Sequence, residues 1–121
     1  MISGMRNTIK NHLDFKTDRE CPYSVCDLFS VHTKPAKFPD DPRYGLVVSK
    51  RNFHFAVQRN RAKRLLRDWL RFADEYMCPD LDYVFFARTP ILGQCVTREI
   101  GRDTMVRALK SIKNQNVKRT K

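Results

Sequence analysis

The chain has 121 residues, which suits a single domain with one modest core. Its 24 Lys/Arg against 13 Asp/Glu give a net charge of +11, so its natural partners are polyanions, nucleic acid first and a membrane surface second. No apolar run approaches transmembrane length and the N-terminus has no signal-like apolar segment, which predicts a soluble, cytoplasmic protein.

In chain order, residues 1 to about 16 are polar with sparse apolar positions (Ile9, Leu13) and read as a short helix on a flexible lead. The stretch YSVCDLFSVHT, Tyr23 to Thr33, is β-branched and aromatic and predicts a strand. Three prolines and two aspartates make Lys34 to Pro42 a loop. RYGLVVSK, Arg43 to Lys50, predicts a second strand. Helical periodicity runs from about Phe55 to Tyr76 and ends at Cys78-Pro79-Asp80. LDYVFFAR, Leu81 to Arg88, predicts a third strand. Thr97, with Glu99 in the first turn, is placed to cap a last helix through about Ile112. The result is one α+β domain over 1–115 and a basic tail over 116–121.

The positive charge is concentrated. From Lys50 to Arg71 there are eight Lys/Arg against one acid, Asp68; from Arg102 to Lys121 there are seven against one. The centre of the first block is RNRAKRLLR, Arg59 to Arg67, with five cations in nine residues. On a helix, Val57, Ala62, Leu65, Leu66, Trp69, Ala73 and Tyr76 fall on one face, predicted to pack on the sheet. Asn60, Lys63, Arg64, Arg67 and Arg71 fall opposite, with Arg59 and Arg61 flanking the apolar stripe. Cations this close to a helix N-terminus oppose the macrodipole and repel each other. Phosphates gripped by the planar arginine forks turn that cost into a gain. A solvated charged face is the plain alternative, but such faces usually balance their signs.

Other constellations are weaker. Asp40/Asp41 and Asp80/Asp82 are paired carboxylates, but each pair reads as turn chemistry. The four cysteines (Cys21, Cys26, Cys78, Cys95) and three histidines form no zinc spacing and read as reduced thiols. There is no glycine-rich phosphate loop and no supported nucleophile–base pair, so no catalytic side chain is predicted. Phe15 and Phe29 lie near Lys16 and Arg19. An exposed aromatic there can stack a single-stranded base, with core packing as the alternative.

RYGLVVSKR, AVQRNRAKRLLRDWLRF and LDYVFFAR together resemble the protein subunit of bacterial ribonuclease P. The marks are Ser49-Lys50-Arg51, then Arg59-Asn60-Arg61, Lys63-Arg64 and Arg67. The resemblance covers about Phe15 to Leu109 and is strong from Arg43 to Arg88. It implies a small sandwich shared with a ribosomal-protein domain, with a mixed sheet of about four strands and a left-handed βαβ crossover. It implies that the partner is a catalytic RNA, which with Mg²⁺ removes the 5′ leader of precursor tRNA; the metal would be held mainly by the RNA. Lys50, Arg51, Arg59, Asn60, Arg61, Lys63, Arg64 and Arg67 would contact that RNA. Phe15, Phe29 and Arg88 would contact the leader, in a cleft between the first helix and the sheet. Two departures bear on the cleft: Arg19 falls where the family has a second aromatic, and NFHF (Asn52–Phe55) replaces a segment that often contains glycine. The rival readings are a general basic RNA- or DNA-binding protein, a peripheral membrane protein and a protein-only nuclease.

Overall fold

The computed structural model describes residues 7–8, 21–36, 43–78 and 81–119. They form a mixed sheet with helices packed against it, the α+β class expected. Strand β1 is Asn7–Thr8, β2 Tyr23–Val25, β3 Phe29–Pro35, β4 Arg43–Val47 and β5 Leu81–Ala87. Their order across the sheet is β1-β4-β5-β3-β2. Helix α1, Ala56–Phe72, connects β4 to its parallel neighbour β5, which makes a βαβ unit. Helix α2, Arg98–Arg119, follows β5.

β5 is central because LDYVFFA can be apolar on both faces, as a strand covered on both sides must be. On the helix-facing side, Phe29 of β3 packs on Phe85 of β5 (centroids 6.1 Å apart) and on Trp69 of α1 (6.4 Å). Ala62, Leu66, Trp69 and Leu70 are the buried residues of α1. Met105, Ala108, Leu109 and Ile112 of α2 complete this core. The two helices come close at Gly101. A Cβ there would fall inside the Trp69 indole, so only glycine fits beneath that ring.

Four expectations about element boundaries need correction. The strand predicted over Tyr23–Thr33 is a hairpin: Asp27 sits in a turn between β2 and β3, and the Cys26 N–H donates to the Phe29 carbonyl at 2.9 Å. Asn7 and Thr8, in the segment read as helical, pair in parallel with Arg43 and Tyr44; sheet pairing outweighs local propensity there. The long helix stops at Phe72, and Asp74–Tyr76 forms a separate 3₁₀ turn. The last helix passes Ile112 and continues to Arg119, for neither glycine nor proline follows Gly101 to end it. Gln115 ties that extension to β2, donating to the Tyr23 carbonyl (3.0 Å) and accepting the Tyr23 N–H (3.3 Å). The Thr97 cap is present: its Oγ1 accepts the Ile100 N–H at 3.2 Å.

Asp82 is not a turn residue. It lies inside β5 and is fully buried. Its carboxylate accepts the Arg43 backbone N–H at 2.8 Å and pairs with the Arg43 guanidinium at 3.5 Å, tying β4 to β5. Asp40, Asp41 and Asp80 lie outside the described residues.

Candidate nucleic-acid interface

The interface is built by the turn after β4 and by α1. Ser49 organises the turn: its carbonyl accepts the Phe53 N–H (3.0 Å) and its hydroxyl accepts the Asn52 N–H (3.2 Å). Phe53 is buried and anchors the loop. This leaves Lys50 and Arg51 at the tip, both exposed. Phe55 is the N-cap in extended conformation, and Gln58 reaches back so that its Oε1 accepts the Phe55 N–H (3.3 Å). The first turn of α1 contains no acidic residue.

Asn60, Arg61, Arg64 and Arg67 are exposed and Lys63 is half-buried, as the helical spacing predicts. Asn60, Lys63, Arg64, Arg67, Asp68 and Arg71 line a concavity of about 480 Å³ along the helix. Asp68, the one acid on that face, is occupied by α2: it pairs with Arg98 (3.6 Å) and Arg102 (3.3 Å). The groove therefore presents cations whose nearest acid is already paired. No signal within α1 foretold this, because the partners lie 30 and 34 positions downstream.

Arg59 differs from its neighbours. Its Nη1 donates to the carbonyls of Phe53 (2.9 Å) and His54 (3.0 Å). It is a clip that fixes the turn carrying Lys50 and Arg51 to the start of the helix. Val57 departs from the helical reading: spacing puts it on the core stripe, yet at the N-terminal start of α1 it is 74% exposed.

Of the residues predicted to hold a leader, Phe29 and Arg88 lie at the ends of neighbouring strands, Phe29 opposite Ala87. Phe15 lies outside the described residues. Phe29 is overturned as a stacking platform. It has no exposed surface, being packed between Trp69 and Phe85 on the helix-facing side of the sheet. The accessible rings are on the other face. His32 stacks on Tyr23 (centroids 5.6 Å, planes 9° apart) and meets Phe86 edge-on (5.6 Å, 82°). Strand alternation contained that signal: Ser30, His32 and Lys34 alternate with Phe29, Val31 and Thr33, and a ring among the first set faces away from the helices. Arg88 is exposed at the end of β5, its guanidinium donating to the Cys26 carbonyl (3.1 Å) beside the β2–β3 turn.

Among the described residues no group of three or more His, Cys, Asp or Glu is arranged to hold a metal ion. No helix among them is long and apolar enough to cross a membrane.

A sequence model of the family described as Ribonuclease P matches residues 6–113. The chain belongs to the ribonuclease P protein family. A ribonuclease P protein component of Lactobacillus delbrueckii subsp. bulgaricus is 38% identical over 81 residues, 66% of this chain and 67% of that protein. Its counterpart in Pseudomonas entomophila is 51% identical over 49 residues, 40% of this chain and only 36% of that relative's length. Among solved structures, the ribonuclease P protein of Staphylococcus aureus is 27% identical with a TM-score of 0.67, covering 85% of this chain and 92% of that one. That of Thermotoga maritima, 23% identical, shares the fold, with a TM-score of 0.68 over 87% of this chain and 96% of that one.

Proposed function

We propose that this chain is the protein part of a ribonuclease P ribonucleoprotein and works by electrostatics and positioning. The observation that carries the reading is the exposed face Asn60, Arg61, Lys63, Arg64 and Arg67, whose one acid, Asp68, is neutralised by Arg98 and Arg102. Such a face neutralises RNA phosphates and releases their counterions. Lys50 and Arg51 extend it along the turn that Arg59 clips. The large RNA carries the hydrolysis and holds the Mg²⁺ that the reaction needs; the chain supplies binding surface.

The second surface is the sheet face with Tyr23, His32 and Phe86, which offers rings to unpaired bases of a precursor-tRNA leader. Arg88 stands at the end of the central strand β5 to meet a phosphate. The two surfaces lie on different elements, so the catalytic RNA and the leader do not compete for the same cations.

The test is the affinity for the ribonuclease P RNA of the same genome, measured across a salt series. Replacing Arg61 and Arg64 together by alanine weakens binding and makes the slope of log K against log salt shallower by about 2. Equal affinity and slope would remove the assigned RNA face. Equally tight binding to unrelated duplexes would favour a general nucleic-acid-binding protein instead.

A further inference from the structure

The first turn of α1 carries apolar surface that the fold does not use. Val57 is 74% exposed and the N-cap Phe55 68%. Scattered exposed apolar residues are ordinary, but Val57 lines a cleft of about 720 Å³ between the start of α1 and the 3₁₀ turn Thr89–Leu92. Val57, Leu65 and Leu92 supply its aliphatic wall, and Asn60, Arg61 and Arg64 its polar rim. No acidic residue lines it.

A surface shaped for phosphates alone has no use for an aliphatic wall. Paired RNA does not match it either: duplex bases are stacked inside, and the helix shows phosphates and 2′-hydroxyls. An unpaired nucleotide has all three matching parts. Its base offers an apolar face to Val57, Leu65 and Leu92. Its edge offers donors and acceptors to the exposed Asn60 carboxamide. Its phosphate meets Arg61 or Arg64, which already belong to the basic face of α1. An apolar peptide would leave both arginines without a counter-charge, so charge complementarity selects the nucleotide.

We propose that this cleft is a pocket for one unpaired nucleotide of the partner RNA. The proposal rests on the RNA-binding reading of α1 and adds a contact whose energy does not come from counterion release. The two kinds of contact separate experimentally. Loss of a phosphate contact flattens the salt dependence, whereas loss of a base contact lowers affinity equally at every salt concentration.

The experiment titrates the ribonuclease P RNA of the same genome, and a fully paired RNA of equal length, with four proteins. These are wild type, Val57→Ser, Val57→Ile and the Arg61→Ala/Arg64→Ala double variant, each across a salt series and each checked for an unchanged melting temperature. Val57 is exposed, so its replacement leaves the core intact. The proposal expects Val57→Ser to weaken binding roughly threefold to tenfold with an unchanged salt slope. It expects Val57→Ile to bind like wild type, and the paired RNA to ignore both changes. Wild-type affinity of Val57→Ser at all salt concentrations, a shallower slope, or an equal loss on the paired RNA would each overturn it. In those cases the double arginine variant still weakens binding, so the RNA face stands without the pocket. If the double variant binds normally, the underlying RNA face fails and the pocket fails with it.

Discussion

Toward its C-terminus α1 buries Leu66, Trp69 and Leu70 against the sheet and α2, while at its N-terminus Val57, Asn60, Arg61 and Arg64 stay in solvent. The two ends are parts of one continuous helix, yet they answer to different constraints. At Trp69 the neighbours are fixed to the atom: Phe29 on one side and Gly101, with no room for a Cβ, on another. At Arg61 and Arg64 no close packing holds the side chains, and the charges are unbalanced. The C-terminal half anchors the helix, which lets the N-terminal half carry a charge pattern that would be unfavourable in isolation.

This contrast breaks most easily at its anchored end. Trp69→Ala removes the largest fully buried side chain and leaves a cavity, which lowers unfolding free energy by roughly 3–5 kcal/mol in a urea titration. Gly101→Ala forces a methyl into the indole and lowers it by roughly 1–3 kcal/mol, despite the better helix propensity of alanine. An unchanged urea midpoint in either variant would show that the α1–α2 contact is not as close as described. At the other end, the Arg61→Ala/Arg64→Ala double variant leaves that midpoint unchanged, and its effect appears only in the salt-dependent RNA affinity.

Arg59 combines the two roles, a cation of the basic helix and a tie to the preceding turn. Arg59→Lys keeps the charge but loses the rigid planar guanidinium whose Nη1 donates to both the Phe53 and His54 carbonyls. Hydrogen exchange at the amides of Phe53 and Phe55 then speeds several-fold, whereas Arg61→Lys leaves it unchanged. If the two lysine variants exchange alike, Arg59 is one more surface cation and not a clip. The smallest effect belongs to Asp68→Ala. It frees Arg98 and Arg102, so RNA binding tightens a few-fold at low salt and stability changes by less than about 1 kcal/mol. Weaker RNA binding by this variant would mean that Asp68 holds those arginines where the RNA needs them.

The sequence shows this division only in part. The basic face was legible because α1 is one uninterrupted helix, and helical spacing alone places Asn60, Arg61, Arg64 and Arg67 in solvent. β5 was legible as an unbroken apolar run. What depends on long-range contact was not. Asp82 resembles a turn aspartate until Arg43, 39 positions earlier, is set beside it. Phe29 and His32 lie three residues apart in one strand and therefore on opposite faces; the family resemblance points to Phe29, but α1 covers its face. Val57 shares a stripe with Trp69, but the stripe outruns the body it packs on, and a periodicity does not report where the neighbouring layer ends.

The exposed half of α1 is the surface proposed to serve a catalytic RNA. Cleavage of precursor tRNA at low Mg²⁺ tests it most directly, with this protein alone, the ribonuclease P RNA of the same genome alone, and the two together. Efficient removal of the 5′ leader is expected only from the mixture, with loss of that gain in the Arg61→Ala/Arg64→Ala variant. Cleavage by the protein without RNA, or RNA activity that the protein leaves unchanged, would contradict it.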